Sequence, residues 1–300
     1  MSETALTRRE ALRVGGTALL AGLAGCSGSI GGNVTTYGKW TPEQSGSGAE
    51  ESGESMHTIH PRELDEARHA LGDRYTLMSE LLDPPVPSLE FGELSTVYSN
   101  GGWFTMLYGI EAEFEQDEMV SAYETESDAE PVGSSYEGYE LLRVEAMLSS
   151  YLVGVADGKI AIAGAGERDR AALEALVDAR RGQARRVDGD GPLSSFSSAI
   201  GDESFLQLSL GDHVSTRIGE TTPTAVASGF SVVDTDEELV GLTSAFSMPQ
   251  TVTEPVVAVE SHLETDATVG VASYANPEVT TESGVVVATE ERPIDDGLVF

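Results

Sequence analysis

The chain is short of cysteine, of lysine and of long apolar runs, and each shortage closes off a class of function. Its single cysteine, Cys26, has no partner for an internal disulfide and leaves the body without a cysteine-based metal or redox centre. Lys39 and Lys159 are the only lysines, and 17 basic residues stand against 51 acidic ones, a formal charge of −34. Nucleic acid, which calls for a basic face, is not an expected partner. The apolar stretch at residues 14–24 falls far below the roughly 20 residues that a membrane-spanning helix needs. No Gly-x-Ser-x-Gly sequence occurs, so a serine hydrolase of the nucleophile-elbow type is not expected.

Acid is what the chain has in excess, and it is spread from Glu43 to Asp296 rather than gathered in a tail. Such a charge repels itself in dilute buffer. Molar salt shortens the Debye length to about 3 Å and removes most of that repulsion. The even spread points to adaptation to brine; the rival reading is an acidic surface for cations or a basic partner. With 300 residues, 40% of them hydrophobic, there is chain enough for one large core or two modest ones.

The first 26 residues read as an address. Arg8 and Arg9 precede the apolar stretch at 14–24, the order of a signal peptide, and their adjacency points to twin-arginine export, which carries folded cargo. The stretch closes on Leu23, Ala24, Gly25 and Cys26, which resembles the lipobox of secreted lipoproteins. That resemblance implies cleavage before Cys26, lipid on its sulfur, the membrane as a partner and a place on the outer face of the cell membrane. The rival reading is an ordinary cleaved signal with a chance cysteine.

The pattern downstream predicts an α+β protein of two similar units, each an antiparallel sheet of β-hairpins with helices on one face. The expected layout is a signal peptide at 1–25, a flexible lipid-anchored tether at 26–56, a first unit at 57–190 and a β-rich second unit at 191–300. Residues 34–40 read as a possible strand start, and 41–55, rich in Gly, Ser and Glu, as disordered. Helices are expected at 61–71, 115–124 and 169–181, and strands at 89–98, 103–110, 138–144, 151–156 and 160–163. In the second unit strands are expected at 205–210, 225–233, 239–246, 268–274 and 284–289. Residues 256–263 lean towards strand because Val256, Val257 and Val259 are β-branched.

Each candidate site has a bland competitor. His57 and His60 stand three apart, with His69 nearby, but Pro61 puts His57 outside the helix that would align them as metal ligands. Gly164, Ala165 and Gly166 begin a dinucleotide fingerprint, yet Asp169 takes the place of its third glycine. Asp188 and Asp190 cluster acids, as do Asp234, Asp236 and Glu238, the weak candidates for calcium; turns favour such residues in any case. No cofactor is expected. Arg180, Arg181, Arg185 and Arg186 form the basic patch, best read as helix-end compensation with local ion pairs. Trp103, Phe104, Tyr108, Tyr136 and Tyr139 are aromatics that line either a groove or a core.

One resemblance covers residues 90–210. Gly138-Tyr139-Glu140-Leu141, the strand pair around Asp157-Gly158, and Asp178-Ala179-Arg180-Arg181-Gly182 follow the order seen in a group of uncharacterised halophilic archaeal surface lipoproteins. The resemblance brings no activity and no site residues. The expected function is a membrane-anchored extracellular binding or interaction module, whose partner would be an envelope protein or a small molecule. The alternatives are a structural envelope component without a ligand and, last, a hydrolase or metalloenzyme assembled from distant residues.

Overall fold

The computed structural model describes residues 35–43, 54–101, 106–145, 150–164, 168–189, 191–265 and 267–299. Arg8, Arg9, Leu23, Ala24, Gly25 and Cys26 lie outside them, as do Trp103, Phe104, Ala165, Gly166 and Asp190.

The first described element is one helical turn, α1 (Thr36–Trp40), where the pattern suggested the start of a strand. Packing overrides propensity here: Tyr37 and Trp40 are fully buried. The expected tether at 26–56 is thereby corrected, since α1 belongs to the folded body and strand β1 (Glu54–Ile59) begins before residue 57. Next come α2 (Pro61–Glu66), α3 (Arg68–Leu71) and α4 (Asp73–Leu82). Gly72, at φ +56, turns the chain between the last two. Then follow β2 (Leu94–Asn100), β3 (Met106–Ala112), α5 (Gln116–Glu126), β4 (Glu130–Tyr136), β5 (Tyr139–Glu145), β6 (Ser150–Ala156), β7 (Lys159–Gly164) and α6 (Asp169–Arg180). The remainder is α7 (Pro192–Ala199), β8 (Phe205–Leu210), β9 (Ala225–Asp234), β10 (Leu239–Ser247), α8 (Pro255–Thr265), β11 (Thr268–Val269), β12 (Ala272–Ser273), β13 (Glu278–Glu282), β14 (Val285–Pro293) and α9 (Ile294–Gly297).

Twelve strands form one antiparallel sheet in the order β13-β14-β10-β9-β8-β1-β2-β3-β7-β6-β5-β4. The mixed α+β class with a large antiparallel sheet thus stands, but the sheet is continuous and not two separate ones. β1 and β8 join its sides, with Glu54 opposite Leu210 and Ile59 opposite Phe205.

Helices cover both faces, which corrects the one-face expectation. On one face Trp40 of α1 packs over Gly109, Leu173 of α6 lies against Gly154, and the Tyr37 hydroxyl of α1 donates to the Leu193 carbonyl of α7. On the other, Met119, Val120 and Tyr123 of α5 pack with Ile110, Ile160 and Ile162. A second cluster on that face unites Ile59, Phe205 and Phe230 with α2 to α4, α8 and α9. Central strands buried on both faces read as unbroken apolar runs, and every residue of 160–163 is fully buried. Residues 256–263, for which strand was slightly favoured, form α8, and Val259 and Leu263, four apart, are its buried face.

The tightest contact is at Gly109, where an added Cβ would lie 2.2 Å from the Trp40 ring. The indole NH also donates to Glu111 Oε1 at 3.1 Å, and Arg180 Nε donates to the same oxygen at 2.8 Å. Trp40→Ala is expected to cost about 3–5 kcal/mol, and Gly109→Ala about 3 kcal/mol through overpacking. In the double variant the vacated indole volume accepts the new methyl, so the combined loss is expected to be smaller than the sum. Denaturant unfolding in molar salt measures this; strict additivity would count against the contact.

Candidate functional site

Pleating sends successive residues of a strand to opposite faces. In β1, Met56 and Thr58 go beneath α1, while Ser55, His57 and Ile59 go to the other face. The Ile59 row there is apolar across six strands: Ile110, Val97, Ile59, Phe205, Phe230 and Leu242 pair in sequence and are all buried. Two residues along, the character changes. Tyr108, Ser99, His57, Gln207, Ser228 and Ser244 pair across the same six strands. A polar band therefore crosses the middle of a helix-covered sheet face.

One end of the band is closed. The Ser228 hydroxyl donates to the Val269 carbonyl at 2.6 Å, and the Tyr274 hydroxyl donates to Ser244 Oγ at 2.8 Å, so the β11–β12 hairpin lies over it. Gly270, at φ +56, allows that approach, since a Cβ there would stand 2.8 Å from Ser228 Cβ. The rest is open in part: Tyr108, Ser99, His57 and Gln207 are half-buried, and so are the paired Ser55 and Ser209. Beside them a cavity of about 60 Å³ is floored by Gln207, Ser209 and Ser228 and closed by Ser215, Thr216 and Gly270. It is polar and has room for a few waters or one small polar group.

His57 is the titratable group of this floor. Its ring centroid lies 6.2 Å from that of Phe205, and burial lowers its pKa below the usual histidine value. Among the described residues the ring forms no hydrogen bond with Ser55 or Ser99, the hydroxyls nearest in register. At neutral pH it is an uncharged imidazole that can donate through one nitrogen and accept through the other. Burial raises the Tyr108 pKa, and the Asp83 charge adds to the effect, so that hydroxyl too stays neutral.

The other candidates sort into structural roles. His60, at the start of α2, contacts the Ser95 carbonyl through Nδ1 at 3.2 Å, and His69 lies exposed on α3. The histidine trio does not converge, and among the described residues no three His, Cys, Asp or Glu side chains gather around a metal-sized point. Asp234 Oδ1 accepts the backbone NH groups of Asp236 and Glu237 at 2.8 and 3.0 Å, which caps its own hairpin turn. Glu238 sits in that turn at φ +52. The four arginines of the basic patch are each paired: Arg180 with Glu111, Arg181 with Glu137, Arg185 with Asp188 and Arg186 with Glu54. Of the aromatics, Tyr108 lies in the open band, Tyr139 is buried and Tyr136 donates to Asp178.

Ser99, Gln207 and Ser209 escaped sequence reasoning. The alternation Leu206, Gln207, Leu208, Ser209, Leu210 carried a signal, because it marks a strand with one apolar and one polar face. That the polar faces of β8, β1 and β2 meet side by side is a matter of strand order. Comparison with known proteins gives no match: no family model, no curated protein and no solved structure is significantly similar to the chain.

The pKa of His57 carries a sign that can be checked. Because its folded value is lowered, the unfolded chain binds the proton first as pH falls. Its contribution is then constant above about pH 6.5 and becomes destabilising as pH drops below that value. An NMR titration of the ring should give a midpoint below 6.5, and His57→Gln should remove this component of the acid sensitivity. A midpoint at or above 6.5 contradicts the burial argument.

Proposed function

We propose that the chain is a lipid-anchored binding module held on the outer face of the cell membrane in a salt-rich medium. The carrying observation is the order of the leader: Arg8-Arg9, the apolar stretch at 14–24, then Leu23-Ala24-Gly25-Cys26. Export through the twin-arginine route suits a body whose central strands β1 and β8 come from distant parts of the chain and are best paired before passage. Among the described residues no helix is long and apolar enough to cross a membrane, and the lipid on Cys26 supplies the attachment.

The binding element is the polar band around His57. Two similar units meet at that band, a reading that rests on several parallels. From the centre outward the strands run β1-β2-β3-β7-β6 on one side and β8-β9-β10-β14-β13 on the other. A helix with two buried apolar residues three apart precedes each inner strand: Tyr37 and Trp40 in α1, Leu193 and Phe196 in α7. A further helix, α5 or α8, follows the third strand of each series and packs on the His57 face. The Thr35 and Ser197 hydroxyls, 3.0 Å apart, link the two leading segments.

Intact mass and membrane partitioning of the native protein, beside a Cys26→Ser form, test the anchor. The expected native mass lacks residues 1–25 and carries lipid, and Cys26→Ser moves to the soluble fraction. A native protein that is unprocessed and soluble inside the cell overturns the reading.

A further inference from the structure

We propose that the open part of the polar band, beside the apolar Ile59 row, is a binding groove for an uncharged, polyhydroxylated ligand, a neutral oligosaccharide or a similar polyol. This rests on the binding-module reading and names the ligand class of the same site.

The first argument is the chemistry of the floor. Tyr108, Ser99, His57, Gln207, Ser55 and Ser209 offer phenol, hydroxyl, imidazole and carboxamide groups, and every one of them both donates and accepts hydrogen bonds. Anions need donors alone and cations need acceptors alone. A group of mixed donors and acceptors matches a ligand whose own groups are mixed in the same way, as sugar hydroxyls are.

The second argument is charge. In a chain with 51 acidic and 17 basic residues, none of these six positions carries a carboxylate or a basic head group that is charged at neutral pH. His57 stays neutral through burial, and Tyr108 likewise. An anionic ligand would meet the field of the acidic body with no cation at the floor to hold it. Neutral hydrogen bonding also suits brine, because screening weakens ion pairs and leaves dipolar contacts largely intact.

The third argument is shape. Along one flank the band is bordered by the buried row Ile110, Val97, Ile59, Phe205 and Phe230. Its open part, from β3 to β8, crosses three strand spacings, about 14 Å at about 4.8 Å each, the length of a short oligosaccharide rather than of a single ion. The cavity beyond Gln207 receives one terminal polar group. Tyr108 closes the opposite end, its half-buried ring packed against the α5 cluster and its neutral hydroxyl left as the polar group.

The experiment uses the full chain at molar salt, with its histidines isotope-labelled. It is titrated with maltotetraose, cellotetraose and mannotetraose, and with tetragalacturonate as the anionic counterpart. The expected result is a shift of the His57 ring signals with at least one neutral sugar, at a dissociation constant on the order of 1 mM or tighter. Affinity should change less than about twofold when salt is lowered severalfold, as expected for uncharged contacts. Gln207→Ala and Ser99→Val should each weaken binding about tenfold, at roughly one lost hydrogen bond apiece, with unchanged thermal melts. Tyr136→Phe, outside the groove, should leave it untouched. Three results overturn the proposal: silence of the His57 ring towards every neutral sugar, preference for the uronate with steep salt dependence, or binding that survives both groove variants. The anchor is judged separately. A Cys26→Ser form that is soluble yet still binds supports the groove, and a native protein found unprocessed in the cell that binds all the same refutes the tether alone.

Discussion

The fold depends on the pairing of β1 with β8. It is the one strand contact in the twelve-stranded sheet that joins residues 54–164 to residues 205–293, along the full length of both strands from Glu54–Leu210 to Ile59–Phe205. Most strand pairings outside it are hairpins or meanders, while β3–β7 and β10–β14 close longer loops and α1 meets α7 across the chain. Its closure brings together strands about 150 residues apart, and loop closure makes such contacts slow to form. Once formed, it sets Met56 and Leu208 side by side beneath the first helix layer and His57 beside Gln207 on the opposite face.

That single register accounts for both the strength of the body and its candidate site. On the α1 face Met56, Leu206 and Leu208 are buried apolar residues, and Trp40 fits over a glycine because nothing larger is tolerated there. On the other face the rows change from apolar to polar within one pleat repeat. A one-residue slip of β1 against β8 would turn His57 beneath α1 and bring Met56 beside Gln207, so the hydrophobic pattern itself holds the groove in place.

Electrostatics act on a different scale. The ion pairs at Arg62–Glu113 and Arg74–Asp295 join elements far apart in sequence, but their partly exposed groups contribute little individually. Trp40, Glu111 and Arg180 form a more sheltered arrangement in which one carboxylate oxygen accepts from both the indole and the guanidinium. The four clustered arginines each have a carboxylate partner, so that patch is neutralised locally. The net acidity is thus a property of the solvated surface, and the groove floor stands apart from it.

By itself the sequence determined the class of the body and most of its hairpins, because Asp157-Gly158 between two apolar runs and the helical spacing of Leu173, Leu176 and Val177 are local signals that packing then reinforced. It also carries the Arg8-Arg9 to Cys26 pattern on which the proposed anchor rests, a linear motif whose reading does not depend on folding. It left the central strand β1, helices α1, α4, α7 and α9 and the edge strands β4 and β13 unread, since these are short or weakly patterned and take their shape from what they pack against. For the same reason the β-branched 256–263 became α8 in the hold of its neighbours. The groove was out of reach of any local reading: Tyr108, Ser99, His57 and Gln207 come from four strands spread over 150 residues. Only strand order, fixed by the burial of the opposite face, makes them neighbours.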